Sequence, residues 1–417
     1  MKKILIFIDW FVPGYKAGGP ISSNANLIEH LKDDYEFYVL TRDTDYCETT
    51  PYPNVISNAW NTLPNGAKVY YLSTRKLGIQ QLIRVCKTIE FDMVYVNGIY
   101  SVYFSLFPLL YFKYFTQKKV VVAARGMLSD HTFSSKKGKK RLFYTLAKRM
   151  GLYNRITFHA TNDNEASQIR KNVGFKGAIN VAPNLPPQIH DAGSRTRLKI
   201  PGEVKLISIA RISPEKNTLF ALEVLEKWSA VDNRQSTENG AAIIFDLYGT
   251  IYNEPYWLEC QQIIRRLPSN ITVNFCGSLE KERVQATLKE YDFLFMPSQG
   301  ENFGHSIIES LLAGCPVIIS DRTPWRNLNI EERQQTTDNR QQKAEDRPLT
   351  SDLLSSSNTS VGWDVPLEKP ELFVQIIGQC CLMGEKEYGQ MSSNASAFAK
   401  QVSMNDAVRK ATIKLFE

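Results

Sequence analysis

No stretch of this 417-residue chain is both long and clean enough to cross a bilayer. The best candidate, Val102 to Phe115, is short and carries Pro108 and Lys113. The apolar start Ile4-Leu5-Ile6-Phe7-Ile8 ends too early, at Asp9, to serve as a secretory leader. Cysteine is sparse and unpatterned: seven residues, an odd number, with no CxxC pair. A disulfide framework and a zinc ribbon are both excluded, and the thiols read as reduced and packed in a cytoplasmic protein. The five histidines show no spacing with Cys or Asp that suggests zinc. Gly14, Gly18 and Gly19 do not make G-x-G-x-x-G, which argues against a dinucleotide dehydrogenase. Acid is also scarce in one region. Between Met93 and Asn162 there are twelve Lys or Arg and a single acid, Asp130.

That local excess of +11 exceeds the whole chain's +7, so the remainder is about −4. Its densest part, Lys136-Lys137-Gly138-Lys139-Lys140-Arg141, runs into Leu142, Phe143, Leu146 and Met150 at helical spacing. A basic amphipathic helix of this kind suits an anionic membrane surface or a phosphorylated acceptor, although a solvated face gives the same pattern. No nucleic-acid module is recognisable.

What is present is a globular composition, 43% hydrophobic and 22% charged, in a chain too long for one core. Strand and helix patterns alternate. Ile4–Asp9, Phe37–Leu40, Val69–Leu72, Asp92–Val96, Val120–Ala124, Ile156–Ala160 and Ile179–Ala182 read as strands, with helices between most of them. A proline-rich, aperiodic join follows from Pro183 to Gly202, and the alternation restarts at Val204. The expectation is an α/β chain with two doubly wound Rossmann-like domains. The first is expected over residues 1–185, a linker over 186–203 and the second domain over 204–390. A C-terminal helical segment, 391–417, is expected to pack back towards the first domain. Residues 329–360 are polar and nearly devoid of apolar side chains, and are expected to be a mobile insertion.

The most informative stretch is Ser298-Gln299-Gly300-Glu301-Asn302-Phe303-Gly304-His305, which leads from the apolar run Asp292–Pro297 into a helix closed by Gly314. Free N–H groups and the positive end of the helix dipole are expected there, suited to an anion or sugar oxygens. Glu309 lies eight residues after Glu301, about two turns on. A capped surface helix with two solvated glutamates would show the same spacing. Arg211 and Lys216 sit in Ser208-Ile209-Ala210-Arg211-Ile212-Ser213-Pro214-Glu215-Lys216-Asn217, just after the first strand of the second half.

Taken together, the Gly18-Gly19 loop, the Arg211–Lys216 segment and the E-x7-E pair Glu301…Glu309 resemble a family-4 retaining glycosyltransferase of the GT-B fold. The resemblance covers nearly the whole chain apart from the insertion. Arg125-Gly126-Met127-Leu128, and Phe158-His159-Ala160-Thr161 with Glu165, resemble a subset of bacterial surface-polysaccharide transferases. The resemblance implies two domains facing each other across a cleft and transfer of a sugar from a nucleotide-diphosphate donor. The acceptor it implies is a glycan or lipid-diphosphate-linked glycan, as in capsule or O-antigen assembly. It implies catalytic roles for Glu301, Arg211 and Lys216, with the two cations holding the leaving diphosphate in place of a metal. Donor contacts are implied for Gly18, Gly19, Arg125, Asn302, Phe303, Gly304 and His305, chiefly through backbone N–H groups in the last four, and for Glu309 on the ribose. His131 would border the acceptor. Lys136, Lys137, Lys139, Lys140 and Arg141 would face a membrane, making the enzyme cytoplasmic and peripheral. No cofactor is expected. Asp43-Thr44-Asp45 has the form of a metal-binding D-x-D but follows an early strand away from the second domain, so no metal is expected either. Two rival readings remain: a nucleotide-sugar epimerase of related architecture, and a non-catalytic membrane-docking module.

Overall fold

The computed structural model describes residues 1–116, 118–128, 147, 149, 151–188, 195, 197–232, 241–329 and 360–417. The basic segment with Lys136, Lys137, Lys139, Lys140 and Arg141, His131, and all but the two ends (329 and 360) of the 329–360 stretch lie outside them. The chain divides into two units, Met1–Gln188 with Asn405–Glu417, and Ile189–Met404.

Unit 1 is built on an eight-stranded sheet in the order β3-β4-β2-β1-β5-β6-β7-β8. Its strands are β1 (Lys2–Phe7), β2 (Tyr35–Arg42), β3 (Trp60–Thr62), β4 (Lys68–Leu72), β5 (Met93–Asn97), β6 (Lys119–Ala123), β7 (Ile156–Ala160) and β8 (Ile179–Val181). All pair in parallel except β3, which runs antiparallel to β4. Because both faces are covered, the strands are continuous apolar runs rather than alternating ones. Within them, successive residues go to opposite cores. Leu5, Phe7, Val94, Val96, Val120 and Val122 pack on one face. Ile4, Ile6, Met93, Tyr95, Val121 and Ala123 pack on the other. The first face is covered by α2 (Ile79–Cys86), α3 (Phe107–Phe115) and α4 (Asp163–Val173), the second by α1 (Gly19–Leu31).

The helical segment between β5 and β6 opens with a π turn, Val102–Leu106. Pro108 lacks an N–H and belongs in a first turn, so α3 begins beside it. Ser101 ends the preceding segment: its carbonyl accepts from the Leu106 N–H at 2.8 Å, and its Oγ accepts from the Phe104 N–H at 3.2 Å.

Unit 2 carries a six-stranded, wholly parallel sheet in the order β11-β10-β9-β12-β13-β14. The strands are β9 (Glu203–Ile209), β10 (Ala242–Tyr248), β11 (Ile271–Gly277), β12 (Phe293–Met296), β13 (Val317–Ser320) and β14 (Gly362–Val365). Read by sequence this is order 3-2-1-4-5-6, so the winding reverses between β9 and β12. Helices α5 (Thr218–Asp232), α6 (Glu254–Ile264) and α9 (Pro370–Leu382) cover one face. The other is covered by α7 (Lys281–Leu288), α8 (His305–Leu312) and α10 (Glu385–Ser403).

Each unit fastens its own side of the join. In unit 1 Asn26 donates to the Leu185 carbonyl at 3.0 Å, and the Pro186 carbonyl meets His30 at 2.9 Å. In unit 2 the buried Asp292 pairs with Arg195 at 3.3 Å, and the Lys199 N–H donates to Glu385 at 2.5 Å. The long helix α10 ends within unit 2, and only the short α11 (Asp406–Ile413) and its immediate flanks, within Asn405–Glu417, belong to unit 1. There Arg409 pairs with Asp34, and Phe416 packs edge-on against Tyr35 and Tyr95 at 5.5 and 5.7 Å. Among the described residues, no helix is long and apolar enough to cross a membrane.

Candidate active site

In a doubly wound sheet, ligands bind beyond the carboxyl ends of the strands where the winding reverses. In unit 2 that point lies between β9 and β12, and the two loops leaving it are stitched together. The Gln299 N–H donates to the Glu215 carbonyl at 2.9 Å, and the Asn217 side-chain amide donates to the Pro297 carbonyl at 3.0 Å. Asn217 holds a left-handed backbone, φ 61°, which asparagine tolerates better than most residues. Gly249, after β10, permits the closest approach: a Cβ there would lie 1.9 Å from the Ala210 carbonyl oxygen.

These constraints bring Lys216 and Glu301 together. Lys216 Nζ lies 2.5 Å from Glu301 Oε1, and Ser298 Oγ donates to the same oxygen at 2.9 Å. The Glu301 N–H is held by the Arg322 carbonyl at 3.1 Å, after β13. Ser320 Oγ in turn donates to the Ser298 carbonyl at 2.5 Å. Ser298 and Ser320 are fully buried and fix Glu301 from beneath. Neither was singled out from the sequence, though the Ser298–Glu301 spacing of three is a usual one for side chains that meet across a turn.

Arg211 leaves the end of β9 with its guanidinium 4.9 Å from the centre of the Tyr252 ring, a cation–π contact. No ion pair joins Arg211 to a carboxylate among the described residues. Its charge is therefore available to an anion at this strand end.

Gly304, φ 79°, caps α8 in a left-handed conformation, and the first N–H groups of that helix precede its earliest i→i−4 bond. Phe303 is buried, packing edge-on against Trp325 at 5.7 Å, and the Trp325 indole N–H is bonded to its carbonyl. Only the Phe303 backbone N–H can therefore serve a ligand. Glu309 lies one turn into α8 and is half-buried. Burial pushes its carboxyl up to about 7, with Lys281 opposing weakly. No hydrogen bond reaches that carboxylate among the described residues.

In unit 1, Gly18 (φ 78°) precedes α1, and a Cβ there would meet nothing within 4 Å; the requirement is conformational. The loop before it is tied down by Asp45, whose Oδ2 accepts from the N–H groups of Tyr15 and Lys16 at 2.9 and 3.2 Å. Asp43 accepts from Ser57 Oγ at 2.6 Å. The D-x-D triplet is thus occupied with loop anchoring. Arg125, φ 52°, is the hub of a network. It donates to Asn97 at 2.8 Å, to Tyr95 Oη at 2.9 Å and to Asn184. Tyr95 Oη lies 2.7 Å from His159 Nδ1, whose Nε2 meets the Ala182 carbonyl at 2.8 Å. Burial first, then the Arg125 charge, lowers His159 to about 3, so its imidazole stays neutral. Glu165 closes the network by accepting from the Gly126 and Thr161 N–H groups at 2.6 and 2.7 Å.

Residues 191–336 match the family described as Glycosyl transferases group 1. That span contains Arg211, Lys216, Glu301 and Glu309. A comparison with curated proteins finds no match. Among solved structures, sucrose-phosphate synthase from Thermosynechococcus elongatus aligns over 100% of this chain and 98% of its own, with TM-score 0.66 and 14% identity. Anabaena HepE in complex with UDP and glucose aligns over 100% and 98%, with TM-score 0.60 and 17% identity. A mutant of S. aureus TarM in complex with fondaparinux, alpha-GlcNAc-glycerol and UDP aligns over 100% of both chains, with TM-score 0.62 and 13% identity. At these identities the likeness is one of fold: two parallel-sheet, Rossmann-like domains of GT-B type.

Proposed function

We propose that the protein is a retaining, metal-independent glycosyltransferase of family 4 that uses a nucleotide-diphosphate sugar. The observation that carries this reading is the meeting of Lys216 and Glu301, 2.5 Å apart, at the winding reversal of a sheet inside the matched family region. A cation and a carboxylate at that point suit a diphosphate and a sugar respectively.

In the proposed reaction the acceptor hydroxyl forms its bond to the anomeric carbon on the face from which the diphosphate departs. The anomeric C–O bond breaks, its electron pair goes to the leaving diphosphate, and the acceptor proton passes to a phosphate oxygen. Negative charge grows on the leaving group, and Arg211 and Lys216 offset it, Arg211 by a planar fork and Lys216 as a point charge. Glu301 holds sugar hydroxyls, Glu309 holds the ribose, and the N–H groups of Asn302, Phe303, Gly304 and His305 take the sugar and distal phosphate. Gly18, Gly19 and Arg125 are proposed as further donor contacts, Arg125 through the N–H groups left over from its internal network. His131 is proposed on the acceptor side. The UDP bound in the Anabaena and S. aureus structures makes UDP-sugars the first donors to try.

The proposed acceptor is a glycan or lipid-diphosphate-linked glycan in capsule or O-antigen assembly. The enzyme is placed by this proposal on the inner face of the plasma membrane, held there by Lys136, Lys137, Lys139, Lys140 and Arg141. The test is a donor-hydrolysis screen over UDP-, GDP- and other nucleotide sugars, with and without EDTA. Turnover of one donor with release of nucleoside diphosphate, unchanged by the chelator, is the expected result. Conversion of a nucleotide sugar to its epimer without release, or loss of turnover on chelation, would sink the reading.

A further inference from the structure

An edge strand presents a row of unpaired N–H and C=O groups, and proteins blunt such edges by shortness, charge, proline or cover. Three of the four sheet edges among the described residues are blunted in this way. In unit 1 the edge strands β3 and β8 are each three residues long. In unit 2 the edge strand β14 is buried along its whole length and carries Asp364. The fourth, β11, is not. It has seven residues, Ile271-Thr272-Val273-Asn274-Phe275-Cys276-Gly277, with no Lys, Arg, Asp, Glu or Pro. Among the described residues it pairs with β10 alone.

The register of that pairing fixes which backbone groups face outwards. Ile243 lies opposite Ile271 and donates to the Asn270 carbonyl at 2.9 Å. Successive residues of a strand turn their N–H and C=O groups to opposite sides, so Thr272 and Asn274 face β10, while Ile271, Val273 and Phe275 face away from it. The alternation ends at the register shift beside Leu247 and Tyr248, after which the Gly277 carbonyl turns back to accept from the Gly249 N–H at 2.7 Å. On the face towards α6, Phe275 packs on Trp257 with ring centres 5.2 Å apart, yet 41% of it stays exposed. On the other face Asn274 donates to Asp246 at 2.7 Å, and Thr272 is exposed.

We propose that β11 pairs antiparallel with β11 of a second copy of this chain, about a two-fold axis through Val273. The edge is its own complement. In that register Ile271 meets Phe275, Val273 meets Val273, and Phe275 meets Ile271. All three are outward-facing positions, so each pair exchanges two N–H···O bonds. The side chains brought together on the α6 face are apolar, and no like charges are opposed. Moving the axis to Asn274 would set Ile271 opposite Gly277, whose carbonyl is already taken by Gly249. The contact is isologous, and it joins the two copies' sheets into one. It does not depend on the transfer reaction proposed above. Five paired residues bury less than a standard interface, so a dissociation constant of about 10 µM is expected.

The experiment is sedimentation velocity of the full chain from about 1 to 100 µM, where a monomer–dimer equilibrium is expected. Phe275→Lys puts a charge on the exposed edge and should raise the dissociation constant about tenfold or more. Val273→Pro removes only an outward N–H, which an edge strand tolerates, and should do the same while the monomer stays folded. Crosslinking reads the register. Thr272 should face Asn274 of the second copy as a non-hydrogen-bonded pair with Cα atoms about 4.5 Å apart, within disulfide reach. The exposed Cys47 and Cys276 are first replaced by serine. Thr272→Cys mixed with Asn274→Cys should then give a disulfide-linked dimer under mild oxidation, and neither variant alone should. A chain monomeric throughout the range, a dimer that survives both edge variants, or absence of that disulfide would overturn the proposal. So would slow hydrogen exchange at the Val273 and Phe275 N–H groups in the monomer, because another segment of the same chain would then cover the edge.

Discussion

Replacing Glu309 with Gln removes one charge from α8 without changing the side chain's shape, and the structure fixes the sign of the effect on stability. Burial pushes the Glu309 carboxyl up to about 7 from an ordinary 4.5. The folded protein therefore prefers the protonated acid more strongly than the unfolded chain does. Below pH 4.5 both states are protonated and the group costs nothing. Between pH 4.5 and 7 the unfolded chain ionises first, and a penalty accumulates until it is complete above pH 7. A shift of that size corresponds to about 3 kcal/mol. Solvent reaching the half-buried side chain screens part of it, so about 1–3 kcal/mol is expected. Glu309→Gln should thus be more stable than the parent by that amount at pH 8 and equal to it at pH 4, read from urea unfolding without ligand. If Glu309 holds the ribose hydroxyls, bound nucleotide stabilises the ionised form. Affinity for the nucleoside diphosphate should then rise between pH 5.5 and 8 more steeply in the parent than in the variant. The comparison cancels the titration of the phosphate itself. At pH 8 the variant should bind about tenfold more weakly, since a charge-assisted hydrogen bond is roughly twice a neutral one. A variant less stable than the parent at pH 8, or one with the same affinity profile, would refute both assignments for this carboxylate.

Arg211→Ala should depress kcat about 100-fold or more with a smaller change in donor KM, because the leaving group's charge is largest in the transition state; a change confined to KM would reverse the assignment. Glu309→Ala should do the opposite, raising donor KM with kcat nearly kept. Gly249→Ala drives a Cβ to 1.9 Å from the Ala210 carbonyl and should cost about 3 kcal/mol or more in unfolding free energy; an unchanged midpoint would show that the loop yields. Asp45→Ala frees the Tyr15 and Lys16 N–H groups, and should speed proteolysis in the 13–18 loop while leaving the midpoint within a few degrees.

Much of the sheet was legible because strands covered on both faces are apolar without interruption, as β1 from Ile4 onward and β6 from Val120 onward are. Two strands escaped for the converse reason. Trp60–Thr62 is a short edge strand with little burial, and Gly362–Val365 mixes Trp363 and Asp364 in a run of four. At the proposed site, Lys216, Glu301 and Glu309 stood out in the sequence by the motifs that carry the resemblance, and the structure brings the first two together. The groups that fix them did not: the carbonyls of Glu215, Pro297 and Arg322 carry no side-chain signature, and Ser320 reaches Ser298 across 22 residues. The Arg125 network was invisible for the same reason, since Tyr95, Asn97 and Asn184 meet only after four strands have been ordered.

The contact between Lys216 and Glu301 has a consequence for the order of recognition. While the ammonium is held by the carboxylate, Glu301 Oε1 is engaged by both Lys216 and Ser298, and the pair shows almost no net charge to passing ions. On the proposed reading a diphosphate competes for the ammonium, and Glu301 Oε1 is released from the lysine towards hydroxyls only when that exchange succeeds. A free monosaccharide brings nothing to trade for the lysine and finds that oxygen engaged. The sugar is gripped when it arrives with its leaving group attached, so the latch itself works as a check that the substrate is activated.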